Sequence, residues 1–391
     1  MRNPIITVKT SIHTKGFKSE NLKIGSVSAD DALVQKRLLE ALGGMKSLSE
    51  EDSRILKIIE GSYKRHLNDE PLLETDFLLR GHEYLELEKL ADQQVGRYFL
   101  YRYKYNMYPK LKRVGEFPPC LQIEIASVCN FRCIMCYQCD STFNKKADGY
   151  MGNMSLELFK DIIDEAEGHI EAVTFSSRGE PLLNENLPAM LKYCEGKFLG
   201  LKLNTNASLL TEKNIHALLS SDIQTLVFSI DSADKEAYES IRVNSNFEKL
   251  IENLELFSKI RSNNYRDSKL IVRISGVKIN DEQNIDKMNT IWNRYADLIA
   301  FTNYTPWENS YDNQPNDVRP PCSELWLRMF VLWDGKINPC DFDYKSTLSR
   351  STFEQSGISE SWTSEWFQAL RQKHLDKKRG RIEPCSRCIA T

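Results

Sequence analysis

Cys129-Asn130-Phe131-Arg132-Cys133-Ile134-Met135-Cys136 is the stretch around which the rest of the chain is organised, with three thiols inside eight residues at x3 and x2 spacing. A cubane of four irons needs four ligands, so such a loop supplies three and leaves one iron open for another molecule. A zinc ion is the rival occupant: it takes four donors, and Cys139, three positions beyond Cys136, could complete that set. What precedes the loop matters as much as the loop. Leu121 to Ser127 is a short apolar run that reads as a strand, so the cysteines would sit where a strand ends and a loop begins.

With 391 residues the chain suggests one large α/β unit with attachments rather than a single small core. Its 52 basic and 55 acidic side chains leave a net charge of −3, so no global basic field points to nucleic acid. The ten cysteines cluster at ligand-like spacings instead of forming a disulfide framework, which implies a reducing, cytoplasmic setting. The start, Met1 to Lys9, has no apolar core of signal-peptide length, and no run approaches a membrane span.

Residues 1–115 read as a separate, mostly helical region. Val34, Leu38, Ala41 and Leu42 recur at helical spacing until Gly43-Gly44. A second helix is expected to begin with Ser47 and Glu50 as a capping box, presenting Ile55, Leu56, Ile58 and Ile59. The alternation of rings and bases from Arg97 to Tyr105 predicts aromatic packing on the neighbouring unit, with the Arg and Lys heads left in water.

Residues 116–305 alternate strand-like runs with amphipathic segments. The expected strands are Leu121 to Ser127, Glu171 to Ser177, Leu201 to Asn204, Thr225 to Ile230, Lys269 to Gly276 and Asp297 to Tyr304. Helical faces fall between them, as in Leu156, Phe159, Ile162, Ile163 and Ala166, or Phe247, Leu250, Ile251, Leu254 and Phe257. That alternation predicts a parallel sheet covered by helices, with chemistry at the C-terminal strand ends. Polar groups do gather there: Arg178, Asn204, Asn206, Ser229, Asp231, Arg242 and Asn303. Ser229 and Asp231 would equally serve as turn-forming or helix-capping residues. Arg273, inside an apolar strand, is expected to point at an anion within the sheet's enclosure, and with Arg178 and Asn204 is a candidate substrate contact.

In residues 306–391 the cysteines resume at Cys322, Cys340, Cys385 and Cys388. Phe330 to Trp333, Asp334-Gly335 and Lys336-Ile337 read as a hairpin that would let distant thiols converge. Zinc and a fully ligated cubane both suit four thiols. Cys120 and Cys194 are read as small buried hydrophobes, and Cys139 as a residue near the first site. The run Lys373, His374, Lys377, Lys378, Arg379 and Arg381 is read as a solvated helix end.

The three-cysteine loop after a strand resembles the signature of the radical S-adenosylmethionine (SAM) superfamily. The resemblance implies an open (β/α)6 partial TIM-like barrel, a [4Fe-4S] cluster on Cys129, Cys133 and Cys136, and SAM bound at the open iron and cleaved to a 5′-deoxyadenosyl radical. It also implies SAM contacts from Met135, which replaces the usual aromatic residue, and from Gly179 and Glu180 of Arg178-Gly179-Glu180-Pro181, where Arg178 stands at a family glycine. Ser229, Asp231 and Arg242 would hold the ribose or carboxylate of SAM. Cys322-x12-Gly335-x4-Cys340 followed by Cys385-x2-Cys388 is similar to the shortened SPASM or twitch extension, implying a second [4Fe-4S] cluster. The pattern is similar to that of the butirosin-pathway deoxy-scyllo-inosamine dehydrogenase, so the implied reaction is oxidation of a secondary alcohol of a sugar, aminosugar or aminocyclitol. The second cluster would accept an electron, and a flavodoxin or ferredoxin would supply the first. A peptide-modifying enzyme and a non-catalytic iron-sulfur or zinc scaffold are the alternatives.

Overall fold

The structure is a computed structural model that describes residues 31–44, 48–280, 283–306, 308 and 310–389. Met1 to Lys9 and Ser47, used above, lie outside the described residues. Among the described residues four helices come first: α1 (Asp31–Gly44), α2 (Glu50–Leu67), α3 (Gly81–Glu88) and α4 (Asp92–Leu111). The start of α2 differs from expectation. Its cap is Ser49, whose hydroxyl accepts from the Asp52 amide at 3.0 Å, and the first-turn acids Glu50, Glu51 and Asp52 complement the positive end of the helix. Ile55, Leu56 and Ile59 are buried as expected.

The barrel strands are β1 (Cys120–Ile123), β2 (Ala172–Phe175), β3 (Gly200–Thr205), β4 (Thr225–Ser229), β5 (Ile271–Lys278) and β6 (Leu298–Asn303). Between them run α5 (Leu156–Ala166), α6 (Leu187–Tyr193), α7 (Glu212–Leu219), α8 (Lys235–Ile241), α9 (Phe247–Asn264) and α10 (Ile285–Trp292). Two further strands, β7 (Arg328–Val331) and β8 (Ile337–Asn338), form the hairpin, and α11 (Phe353–Thr363) and α12 (Glu365–Leu375) follow. The sheet order is β6-β5-β4-β3-β2-β1-β7-β8. Strands β1 to β7 are all parallel, and only β8 runs antiparallel, against β7. The hairpin is thus where the sequence placed it, with Gly335 at φ +80° in its turn. Its first strand nevertheless does more than bring cysteines together, because it pairs with β1 and extends the barrel sheet.

Side chains alternate across this sheet. Leu121, Ile123, Val173, Phe175, Leu201, Leu203, Leu226, Phe228, Val272, Ile274, Ile299, Phe301, Met329 and Val331 face outward into the main core, under α5, α7, α9, α11 and α12. Phe159, Ile162 and Ile163 of α5 are fully covered there, each stabilising by roughly 1.5–3 kcal/mol. By the two-residue period of a strand, Gln122, Thr174, Lys202, Asn204, Val227, Arg273, Ser275, Arg328 and Phe330 face the inside. Parallel strands covered on both faces usually read as continuous apolar runs; a polar inner face marks a lumen that holds something other than packed side chains.

The N-terminal helices close the lower end of that lumen. Tyr98 and Tyr101 of α4 share a core with Cys120, Ala172 and Leu199, and a Cβ on Gly200 would meet the Tyr101 hydroxyl at 2.8 Å. The rings of the Arg97–Tyr105 stretch pack as the sequence predicts. Arg102 does not stay wet: it is 6% exposed, bonded to Glu86 and stacked 4.7 Å from the Tyr101 ring. Its head finds a carboxylate inside, which removes the reason to seek water.

Candidate iron-sulfur and SAM site

The first cysteine loop leaves the C-terminal end of β1 and is pinned on several sides. Tyr137 donates its hydroxyl to the Ser177 carbonyl at 2.8 Å, and Gln138 Nε2 donates to the Ser127 carbonyl at 2.8 Å. The amides of Arg132 and Ile134 donate to the carbonyls of Val243 and Ile241 at 2.9 and 3.0 Å. The three thiols lie close enough to act on one another electrostatically. Burial pushes Cys129 up to about 12 and Cys136 well above the ordinary thiol range. Thiols so placed stay protonated alone and ionise when a cationic metal centre takes them up.

Gly179 has a steric reason. A Cβ there would fall 2.4 Å from the Ala126 carbonyl oxygen and 2.5 Å from that of Val128, so only glycine lets the loop after β2 lie against the loop after β1. The contact delivers Glu180, which is 2% exposed. Its carboxylate accepts from Thr205 Oγ1 (2.6 Å), the Asn206 amide (2.7 Å) and the Leu182 amide (3.1 Å). Burial raises its pKa and those donors oppose the rise. Met135 is buried beside Phe131, Cys133, Ile241, Ile279 and Tyr304, an apolar wall suited to the flat base of a nucleoside.

Asp231 is neither a turn former nor a cap. The α8 cap is Asp234, accepting from the Ala237 amide at 3.3 Å. Asp231 is fully buried, accepts from the Val277 amide at 2.7 Å and forms an ion pair with Arg242 Nε at 2.7 Å. Arg242 in turn lies 3.9 Å from the Cys133 sulfur. Asp231 therefore holds a guanidinium over the first cysteine set, where a positive charge favours thiolate. Ser229 lies half-buried at the end of β4, paired in register with Ser275.

Two substrate expectations change. Arg178 is 4% exposed and turned into the protein: Nε donates to Glu124 Oε2 at 2.6 Å, and Nη1 to the Tyr344 carbonyl at 2.7 Å. Its donors are taken, so it joins the barrel to the C-terminal segment and has none directed at a substrate. Arg273 does face the lumen, and its Nε is buried without a hydrogen-bond partner. Asn204 Oδ1 is likewise buried and unpartnered. The sequence reading missed Lys202, Glu124, Arg328 and Asp341, although Lys202 in Leu201-Lys202-Leu203 carried the same signal as Arg273.

The four C-terminal thiols also act on one another: Cys340 feels Cys385, Cys388 and Cys322. Burial pushes Cys322 up to about 12. Around them the supposed solvated basic run divides. His374 is 1% exposed and its Nδ1 accepts from the Cys322 amide at 3.3 Å; burial and Arg379 lower its pKa to about 4. Arg379, also 1% exposed, donates to the Cys388 carbonyl at 2.9 Å. These two fold inward because the carbonyls and amides around the cysteines need partners that water cannot reach. Cys120 and Cys194 are buried, and Cys139 is exposed.

The parallel α/β barrel has three cysteines in the loop after its first strand and four in the segment around and beyond the β7–β8 hairpin. Residues 123–289 match the radical SAM superfamily, and residues 322–389 match the SPASM iron-sulfur cluster-binding domain. The chain thus carries a radical SAM domain followed by a SPASM domain. It is 30% identical over 200 residues to an uncharacterized protein of Methanocaldococcus jannaschii, a match covering 50% of this chain and 62% of that one. The fold is similar to that of BtrN in complex with AdoMet and 2-DOIA, with a TM-score of 0.50, 17% identity and coverage of 71% and 94%. It is also similar to Streptococcus suis SuiB bound to precursor peptide SuiA, with a TM-score of 0.53, 15% identity and coverage of 83% and 84%. Among the described residues, no helix is long and apolar enough to cross a membrane.

Proposed function

We propose that the protein oxidises a secondary alcohol of a polar sugar-like or cyclitol substrate, using two [4Fe-4S] clusters. Cys129, Cys133 and Cys136 would hold the first, with Met135, Gly179, Glu180, Ser229, Asp231 and Arg242 around SAM; Cys322, Cys340, Cys385 and Cys388 would hold the second. Bound SAM would supply the radical that removes hydrogen from the carbinol carbon. The carbon radical becomes a ketone when the hydroxyl loses its proton and one electron departs. Four thiolates fill all four irons of a cubane, which leaves electron acceptance as the role of the second cluster. An external donor such as a flavodoxin or ferredoxin would reduce the first.

The observation that carries this reading is the position of Asp341, one residue after Cys340. Its carboxylate accepts from Ser177 Oγ at 2.7 Å and from Gln122 Nε2 at 3.1 Å. Gln122 faces the lumen and Ser177 begins the loop after β2, so the residue next to Cys340 is tied to the barrel, which supports a second cysteine set within reach of the same substrate. A substrate held there would lose its hydrogen atom to the SAM-derived radical at the first cysteine set and pass the remaining electron to the second.

The test uses anaerobically reconstituted protein, strong reductant and candidate alcohols deuterated at the carbinol carbon. Deuterium in 5′-deoxyadenosine together with a ketone product is the expected result. Label transfer that yields a crosslinked peptide would replace this reading with peptide modification, and absence of any deoxyadenosine would favour a non-catalytic role.

A further inference from the structure

The lumen carries two cations that no ion pair among the described residues neutralises. Arg328 is matched: its Nε lies 2.6 Å from Glu324 Oε2, and Nη1 donates to Gln122 Oε1 at 3.1 Å. Below it Arg102 is matched by Glu83 and Glu86. Lys202 and Arg273, among the described residues, have no ion pair and no hydrogen bond to their charged heads, and Arg273 Nε is one of the buried orphan donors. Both project from the inner face, on the two strands that flank β4: Lys202 of β3 is level with Thr225, and Arg273 of β5 is level with Val227, two residues further along. Both are surrounded by protein yet keep accessible surface, as side chains lining an internal cavity do. They are near enough to repel, since Arg273 is the strongest charged influence on Lys202 and Arg328 the next. Two unpaired cations facing each other across a dry interior would cost several kcal/mol each, and buried charges are ordinarily paired. Asn204 Oδ1 and the hydroxyls of Thr174 and Ser275 belong to the same inner face and offer partners for hydroxyl groups.

We infer that Lys202 and Arg273 form a subsite for an anionic group of the substrate, a phosphate monoester or a carboxylate, seated deep in the barrel. The subsite rests on the proposed function for its orientation: the anion goes down toward the Tyr101 and Tyr105 floor, and the carbinol stays up between the two cysteine sets. It also narrows that reading. A protonated amine would be repelled by the same two cations, so a sugar phosphate or sugar acid fits this barrel and an aminosugar or aminocyclitol without an anionic group does not. Arg supplies a planar fork and Lys a point charge, a pairing that serves a phosphate's tetrahedral oxygens and a carboxylate's flat pair alike.

The experiment needs no turnover. Reconstituted full-length protein is titrated with inorganic phosphate, with acetate and with chloride at equal ionic strength, and the shift in thermal midpoint gives each affinity. Phosphate or acetate should stabilise saturably and chloride should not, and whichever of the two binds more tightly names the anion. Lys202→Met and Arg273→Met should each weaken that binding by roughly tenfold or more, the range for losing one charge-assisted hydrogen bond. Each substitution removes an unpaired buried charge and so lowers a cost of folding; Lys202→Gln and Arg273→Gln stand in where Met packs badly, with iron content reporting the fold. No saturable anion effect in the wild type, or equal binding by all variants, overturns the subsite. Either of these outcomes leaves alcohol oxidation standing, and a failed deuterium transfer leaves the subsite standing.

Discussion

At Lys202, burial first and then the guanidiniums of Arg273 on β5 and Arg328 on β7 lower the amine's pKa to about 8, while Cys120 on β1 and Glu86 on α3 pull the other way. The charged form therefore gives way to the neutral amine as pH rises through about 8, well before an exposed lysine would change. An anion that needs the charged form must then bring a proton with it. Its dissociation constant should rise by at most about tenfold per pH unit above that point, and Lys202→Met should flatten the curve. Glucose 6-phosphate suits the measurement, since its second phosphate ionisation, near about 6, is complete before the window opens. A wild-type affinity unchanged between pH 7 and 9.5 would contradict the assignment. Residue identity alone carried part of this. An arginine within an apolar strand announces a partner or a cavity, and so Arg273 was legible. Arg178 was misread because its partners lie 54 residues upstream and 166 downstream, at Glu124 and Tyr344, and no local pattern points to either.

Among the elements, the loops after β1 and β2 depend on each other through Gly179. In Gly179→Ala the new methyl meets the backbone oxygens of Ala126 and Val128 at 2.4 and 2.5 Å, far inside van der Waals contact, and backbone cannot rotate aside as a side chain does. The outer core should hold, because the apolar faces of β1 and β2 are untouched. The loops should separate, displacing Glu180 from Thr205 and Asn206 and loosening the first cysteine set. The expected outcome is SAM affinity reduced by about fivefold or more, from a loss of about 1–3 kcal/mol, with little change in circular dichroism; unchanged SAM binding would refute the packing argument. Strand and helix periods foretold most of these elements, since apolar spacing survives in sequence. The parallel pairing of β7 with β1 was not foretold, because it joins segments some two hundred residues apart and depends on the barrel leaving that edge open. The α2 start was misplaced for a different reason: Ser47 and Ser49 offer the same hydroxyl two residues apart, and only the helix's own register selects Ser49.

For the molecule as a whole, the two cysteine sets sit on parts that differ in how far the fold needs them. The C-terminal segment is not an appendage that can be removed. Met329, Val331, Ile337, Ile358, Trp362 and Phe367 are buried in the same core as the barrel strands and α5, and Arg178 reaches across to the Tyr344 carbonyl. Deleting residues 322–391 would strip that core and leave the buried Arg178 Nη1 without its carbonyl partner, so the shortened chain should aggregate. Point substitutions separate the sites where truncation cannot. Anaerobically reconstituted protein should hold about eight irons and eight sulfides per chain, the content of two cubanes. Cys129→Ala, Cys133→Ala and Cys136→Ala together should remove about half of the iron and abolish SAM cleavage. Cys322→Ala, Cys340→Ala, Cys385→Ala and Cys388→Ala together should remove the other half. That second variant should still cleave SAM, because its thiols touch none of the groups around Glu180 and Arg242, yet it should form little ketone for want of an acceptor for the second electron. Zinc retained in the wild type and lost from the second variant would exchange the cubane for a structural ion, and ketone formation at the wild-type rate by that variant would remove the C-terminal cysteines from the electron path.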